Sequence, residues 1–215
     1  MASREETDRW LDDVYHAKDR GSLNEIYDRW AATYDADLLL TGYLHFPVIT
    51  GLVCRHVKRR DAAILDAGVG TGTVGSLLNL LGFNNLTGLD MSDGMLAKAR
   101  ERQCYADLRK GILGEPLDFT DRSFDAILST GTFTFGHAPA SAFDELVRIL
   151  EKDGVIIFTV ATAVWEEQGF GTKLESLVAS GQLAPVEATP IYRPMPFSPA
   201  ESGVTTQAHV YRRIS

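Results

Sequence analysis

Cysteine is scarce in this chain: only Cys54 and Cys104 occur in 215 residues. They have no metal-ligand spacing and no partner motif, so no metal site and no disulfide framework is expected, and they read as reduced thiols of a cytoplasmic protein. Long hydrophobic runs are missing too. None reaches the length of a membrane-spanning helix, and residues 1–10 lack the apolar stretch of a secretion signal, so no membrane association is expected. Cations are outnumbered, with 21 Lys+Arg against 29 Asp+Glu and a formal charge of −8 at pH 7. An acidic chain attracts polyanions poorly, and no basic patch with interleaved aromatics is present, so nucleic acid is not an expected partner. Internal repeats and low-complexity segments are absent. What remains is apolar: 45% of residues are hydrophobic, enough at this length for a single domain with a large core.

Strand-like and helix-like stretches alternate along most of the chain. Residues 5–20 form a polar helix, interrupted at Gly21-Ser22, where Ser22 and Glu25 have the spacing of a capping box. Helices are expected at 23–33 and 44–60, the second with Arg55, Lys58, Arg59 and Arg60 at the end that favours cations. Strands follow at 62–67, 86–90, 108–112, 124–130 and 155–160. Helices intervene at 73–81, at 93–102 behind a Ser92 cap, at 140–150 and at 165–179. Two closely spaced strands, 186–192 and 205–212, end the chain. Apolar strands separated by helices imply a mostly parallel sheet covered on both faces, and the final pair implies an antiparallel edge.

The segment Ile64-Leu65-Asp66-Ala67-Gly68-Val69-Gly70-Thr71-Gly72 carries the chemistry. An apolar strand turns into a helix through alternate glycines, which accept positive φ and let a ligand approach bare backbone. Asp90 ends the next strand. Gly70, Gly72 and Gly75 satisfy the dinucleotide fingerprint, with Asp90 at the expected distance. That register, however, puts Asp66 inside a buried strand. With Gly68, Gly70 and Gly72 as the loop, Asp66 falls at the strand tip, facing the pocket, where a carboxylate suits an ammonium group better than a pyrophosphate.

In that register the stretch from Leu65 to Gly72 resembles the first motif of class I S-adenosylmethionine-dependent methyltransferases. Leu89-Asp90-Met91-Ser92, followed by Met95-Leu96 and Ala99-Arg100, resembles the second. Asp121-Arg122-Ser123-Phe124-Asp125-Ala126-Ile127 resembles the approach to the fourth strand, and residues 146–158, with Asp153-Gly154, the entry to the fifth. Tyr27-Asp28-Arg29-Trp30-Ala31 with Tyr34-Asp35 resembles a leader of many such enzymes. Combined with Leu113-Gly114-Glu115-Pro116-Leu117, it resembles the Williams–Beuren-region methyltransferase-like branch.

The resemblance implies a doubly wound α/β fold, Rossmann-like, with a mostly parallel seven-stranded sheet and an antiparallel last strand. It implies one domain over 1–215, with a helical lid at 1–43 and a core at 44–215. The cofactor implied is S-adenosyl-L-methionine, giving S-adenosyl-L-homocysteine. Asp66 and the backbone of Gly68 and Gly70 would hold the methionine moiety, Asp90 the ribose hydroxyls, and Met91 the adenine face. Leu113 and Gly114 would meet the adenine edge, although Leu113 stands where many relatives carry an acid; backbone carbonyls, or Glu115 or Asp118 reaching in, would have to serve. Tyr27, Trp30 and Tyr34 would close over the cofactor, and Thr130 and Gly131 would face the methyl group.

His137 is the candidate general base, ahead of His45 and Tyr43. Substrate walls are expected from the N-terminal helices and from residues 132–139, 163–171 and 193–203. These are small and partly aromatic, so a small-molecule acceptor is expected. The Asn/Asp-Pro-Pro-aromatic signature of certain amino-group methyltransferases is absent. Two alternatives are a nicotinamide-dependent oxidoreductase and a non-catalytic S-adenosylmethionine-binding regulatory module.

Overall fold

A computed structural model describes residues 4–215, so the reading of residues 1–10 falls partly outside the described residues. Seven strands form one sheet: β1 (Ile64–Ala67), β2 (Leu86–Asp90), β3 (Asp107–Lys110), β4 (Phe124–Phe133), β5 (Leu150–Ala161), β6 (Leu183–Ala188) and β7 (Thr206–Arg213). Their order is β3-β2-β1-β4-β5-β7-β6. The first five pair in parallel, while β7 runs antiparallel to both β5 and β6. The expected class is therefore found, with the last strand inserted between β5 and β6.

Side-chain alternation along the strands feeds two cores. Leu65, Ala67, Ile127, Ile156 and Phe158 pack with α7 (Ala142–Ile149) and α9 (Phe170–Ala179) on one face. Ile64, Leu128, Val155 and Ile157 pack with α4 (His45–His56) and α5 (Thr73–Leu80) on the other. The α6 helix (Asp93–Glu101) starts at Ser92, whose side chain accepts from the Met95 N–H as expected of a cap. Ahead of this core, α1 (Arg4–Tyr15), α2 (Arg20–Trp30) and α3 (Tyr34–Thr41) share a third cluster built on Leu11, Leu23, Ile26, Trp30 and Leu38. A one-turn helix, α8 (Val164–Glu167), precedes α9.

Several boundaries move for identifiable reasons. Asp19, not Ser22, caps α2: its side chain accepts from the Ser22 N–H while the Ser22 hydroxyl takes the Asp19 N–H, so Glu25 has no part in the box. The α4 helix stops at His56 because buried Val57 turns extended, leaving the three following cations outside it. β6 begins three residues before the expected 186–192 and ends at Ala188, and Val186 and Ile191 are exposed. α3 has no counterpart in the expected helices. Among the described residues no single helix is long and apolar enough to cross a membrane.

Candidate active site

Strand order reverses between β1 and β4, and a cleft opens at the carboxyl ends of β1, β2 and β4, where open α/β sheets bind ligands. The cleft and its mouth together span about 740 Å³ of non-atom space, open solvent included. Gly68, Gly70 and Gly72 hold φ of +82°, +53° and +81°, so the alternate glycines form the loop. Gly75 lies inside α5 instead, and its lack of a side chain admits Tyr105, whose hydroxyl would sit 2.1 Å from a Cβ there. A Cβ on Gly70 would meet nothing within 4 Å. The loop's bare backbone thus faces the cleft.

Asp90 is the polar anchor of this cleft. Its Oδ2 accepts from the Gly70 N–H at 2.8 Å and its Oδ1 from the Ser92 N–H at 3.0 Å. Burial pushes its pKa up, and these two N–H donors pull the other way. Each oxygen keeps a lone pair for a ligand hydroxyl. Met91, Leu113, Tyr27, Tyr34, Thr130 and His137 join Gly68, Gly70 and Asp90 in the lining. Thr130 Oγ1 is buried without a hydrogen-bond partner.

Three expected residues stay out of the lining. Asp66 alternates onto the α5 face of β1, next to Ile64 rather than at the open tip, and its Oδ2 accepts from the Tyr105 hydroxyl at 2.8 Å. Burial pushes its pKa up to about 7. Trp30 is buried in the lid, where its indole N–H donates to Asp37 at 2.8 Å. Gly114, at φ +97°, turns the chain against Pro139. Glu115 does not reach in either: it pairs with Arg20, which lines the cleft from α2. Asp118 is also absent from the lining.

His137 has both ring nitrogens engaged. Nδ1 lies 2.6 Å from the Phe135 carbonyl, which only accepts, so Nδ1 carries the proton and Nε2 accepts from the Tyr27 hydroxyl at 2.7 Å. Burial pushes its pKa down, against the bond to the Phe135 carbonyl. This contact joins the lid to the loop after β4.

Two carboxylates, Asp28 and Asp35, fasten the N-terminal helices to the motif loops, a role the leader motif did not reveal. Asp28 Oδ1 accepts from the Ser92 hydroxyl at 2.6 Å and from the Gly94 N–H at 2.8 Å, at the start of α6. A Cβ on Gly94 would sit 2.7 Å from the Asp28 carbonyl oxygen, so the approach requires glycine. Asp35 accepts from the Thr71 and Thr73 hydroxyls and pairs with Arg102. These are contacts between distant segments, and no local pattern announces them.

The fold, the glycine loop and the second-strand acid are those that the resemblance to class I S-adenosylmethionine-dependent methyltransferases implies. A family described as "Methyltransferase domain" matches residues 65–158, the stretch that carries both motifs. Human methyltransferase-like protein 27 is 34% identical over 139 residues, covering 63% of this chain and 56% of that protein. A malonyl-[acyl-carrier protein] O-methyltransferase of Geobacter sulfurreducens is 30% identical over 145 residues, covering 66% and 54%. The chain thus spans about half the length of the curated relatives it matches. Among solved structures, the [4+2]-cyclase SpnF superposes with a TM-score of 0.67 at 17% identity, covering 92% of this chain and 97% of that one. That likeness is one of fold, and a fold leaves the reaction to the site.

Proposed function

We propose that the protein transfers a methyl group from S-adenosylmethionine to a small-molecule acceptor. The observation that carries this reading is Asp90: a carboxylate fixed by two backbone N–H groups at the end of β2, with lone pairs turned to a cleft roomy enough for a nucleoside. Bound there, the cofactor supplies an electrophilic methyl on a sulfonium. Asp90 would take the ribose hydroxyls, Met91 and Leu113 the adenine, and the Gly68–Gly70 backbone the methionine end. Thr130, with its unpartnered hydroxyl, borders the reacting end. Tyr27, Tyr34 and His137 wall the cleft on the lid side and exclude water.

The protein's task is then orientation. Methyl transfer needs the acceptor in line behind the carbon–sulfur bond, so rigid walls supply much of the acceleration. A relative carrying the name malonyl-[acyl-carrier protein] O-methyltransferase supports a small acceptor group. The free thiols Cys54 and Cys104 suit a reducing compartment such as the cytoplasm.

Side-by-side calorimetric titration with S-adenosylhomocysteine and with NADH tests the reading. Saturable binding of the first alone is expected. Binding of NADH alone would replace this reading with the nicotinamide one, and binding of neither would remove both.

A further inference from the structure

Asp66 is a buried carboxyl without a countercharge. It is 3% exposed, and among the described residues its side chain makes one hydrogen bond, from the Tyr105 hydroxyl at 2.8 Å, and no ion pair. The positions paired with it, Gly88 of β2 and Leu128 of β4, are uncharged. The α5 helix beside it holds no acid, lysine, arginine or histidine. The other titratable groups around it are Cys104 and Asp90. Arg102, close to Cys104 in sequence, is taken by Asp35.

This carboxyl stands just behind the cleft. It precedes Gly68, a lining residue, by two positions, and two extended residues span at most about 7 Å. Asp90, in the cleft itself, is a second carboxyl, and its charge opposes ionisation of Asp66. The glycine loop does little to offset them. Its Gly68 and Val69 N–H groups both donate to the Leu89 carbonyl, that of Gly70 to Asp90 and that of Gly72 to the Val69 carbonyl. Arg20 is the one lysine or arginine in the lining, and it pairs with Glu115. The glycine-loop end of the cleft is therefore short of positive charge.

We propose that Asp66 senses the charge of the bound cofactor: it gives up a proton when the sulfonium form binds and keeps it beside the neutral thioether product, so the preference for S-adenosylmethionine over S-adenosylhomocysteine rises with pH. The proposal rests on the methyl-transfer reading above and adds a proton-linked control of the same cleft. S-adenosylmethionine carries one positive charge more than S-adenosylhomocysteine, and a positive charge is what the buried pair of acids lacks. At an effective dielectric of about 20, a unit charge about 10 Å away shifts an ionisation equilibrium about tenfold. Burial, with the Asp90 charge behind it, pushes the Asp66 pKa up to about 7 against the pull of the Tyr105 hydroxyl. A tenfold shift therefore moves a proton near neutral pH. Below that pKa the free protein holds the proton, and the sulfonium must expel it or forgo the attraction. Above it the carboxylate is already charged and the attraction is available at once. The thioether makes no such demand at either pH. Asp66 acts here through charge, without touching the ligand, so it is a specificity-determining residue and not a catalytic one.

Calorimetric titration of each ligand in two buffers of different ionisation enthalpy counts the protons. At about pH 6.5, S-adenosylmethionine is expected to release about half a proton and S-adenosylhomocysteine about none. Between about pH 5.5 and about pH 7.5 the affinity for the first, relative to the second, should rise about sixfold. Asp66→Asn should release no proton with either ligand and hold that ratio within about twofold. Tyr105→Phe removes the donor that favours the carboxylate, and should move the midpoint of the rise to higher pH. Equal proton release with both ligands, a ratio independent of pH in wild type, or a rise that survives Asp66→Asn would overturn the proposal. A midpoint unmoved in Tyr105→Phe would overturn it as well, and that variant keeps the carboxyl itself. Failure of S-adenosylhomocysteine to bind wild type at any pH strikes the parent reading instead.

Discussion

Asp66→Asn separates the electrostatic cost of the motif acid from the rest of the fold. Asp66 is 3% exposed, and burial lifts its pKa from 3.8 to about 7, against the pull of the Tyr105 hydroxyl. A change of that size corresponds to about 4 kcal/mol, an order-of-magnitude figure. The native state holds the proton after the unfolded chain has lost it. The group's contribution is therefore fully present below about pH 4 and is lost as pH rises through about 7. Asparagine keeps an acceptor for Tyr105 at nearly the same volume and does not titrate. Urea unfolding of both proteins at a series of pH values gives the difference directly. The variant should gain on wild type by about 4 kcal/mol between about pH 4 and about pH 8, and any fixed cost of the amide shifts both ends equally. A difference flat to within about 1 kcal/mol across that range would show that Asp66 is not a buried, proton-binding carboxyl.

Two further substitutions probe the clasps and the packing. Asp28→Ala removes the acceptor of the Ser92 hydroxyl and the Gly94 N–H, and should cost about 1–2 kcal/mol in denaturant unfolding while weakening S-adenosylhomocysteine binding as the lid loosens. Stability and affinity both unchanged would mean that Asp28 does not hold the lid. Gly75→Ala would place a Cβ 2.1 Å from the Tyr105 hydroxyl; expulsion of the ring should cost about 1–3 kcal/mol, and an unperturbed melting temperature would refute the close approach.

The sheet was legible because its strands are short, apolar and separated by helices, and because the glycine loop marks one strand end without ambiguity. Asp90 was legible for the same reason: it closes an apolar run and stands at a fixed distance from that loop. The α3 helix was not, since Leu38 points inward while Leu39 and Leu40 are exposed, which breaks the stripe that identifies a helix. The bounds of the edge strand β6 are masked by Val186 and Ile191, β-branched residues that the structure leaves exposed.

Asp66 shows where motif reasoning stops. The motif gave its position along the strand, but the face it occupies depends on two-residue alternation and on Tyr105, a residue 39 positions away that no pattern ties to it. His137 was placed at the correct strand end, yet its engagement by Tyr27 is a contact across 110 positions. The contact between His45 and Tyr192 likewise spans 147 positions. Phe133, Thr134, Pro194 and Met195 line a second cavity at the tip of β4, and no residue of 163–171 appears among its walls or those of the cleft.

Titration of S-adenosylhomocysteine into wild type and Asp90→Ala addresses the central claim most directly. One-to-one binding to wild type is expected, with about 1–3 kcal/mol lost in the variant as two hydroxyls forfeit a charged acceptor. Equal affinity in a variant that remains folded would place the nucleoside somewhere other than the end of β2 and contradict the account.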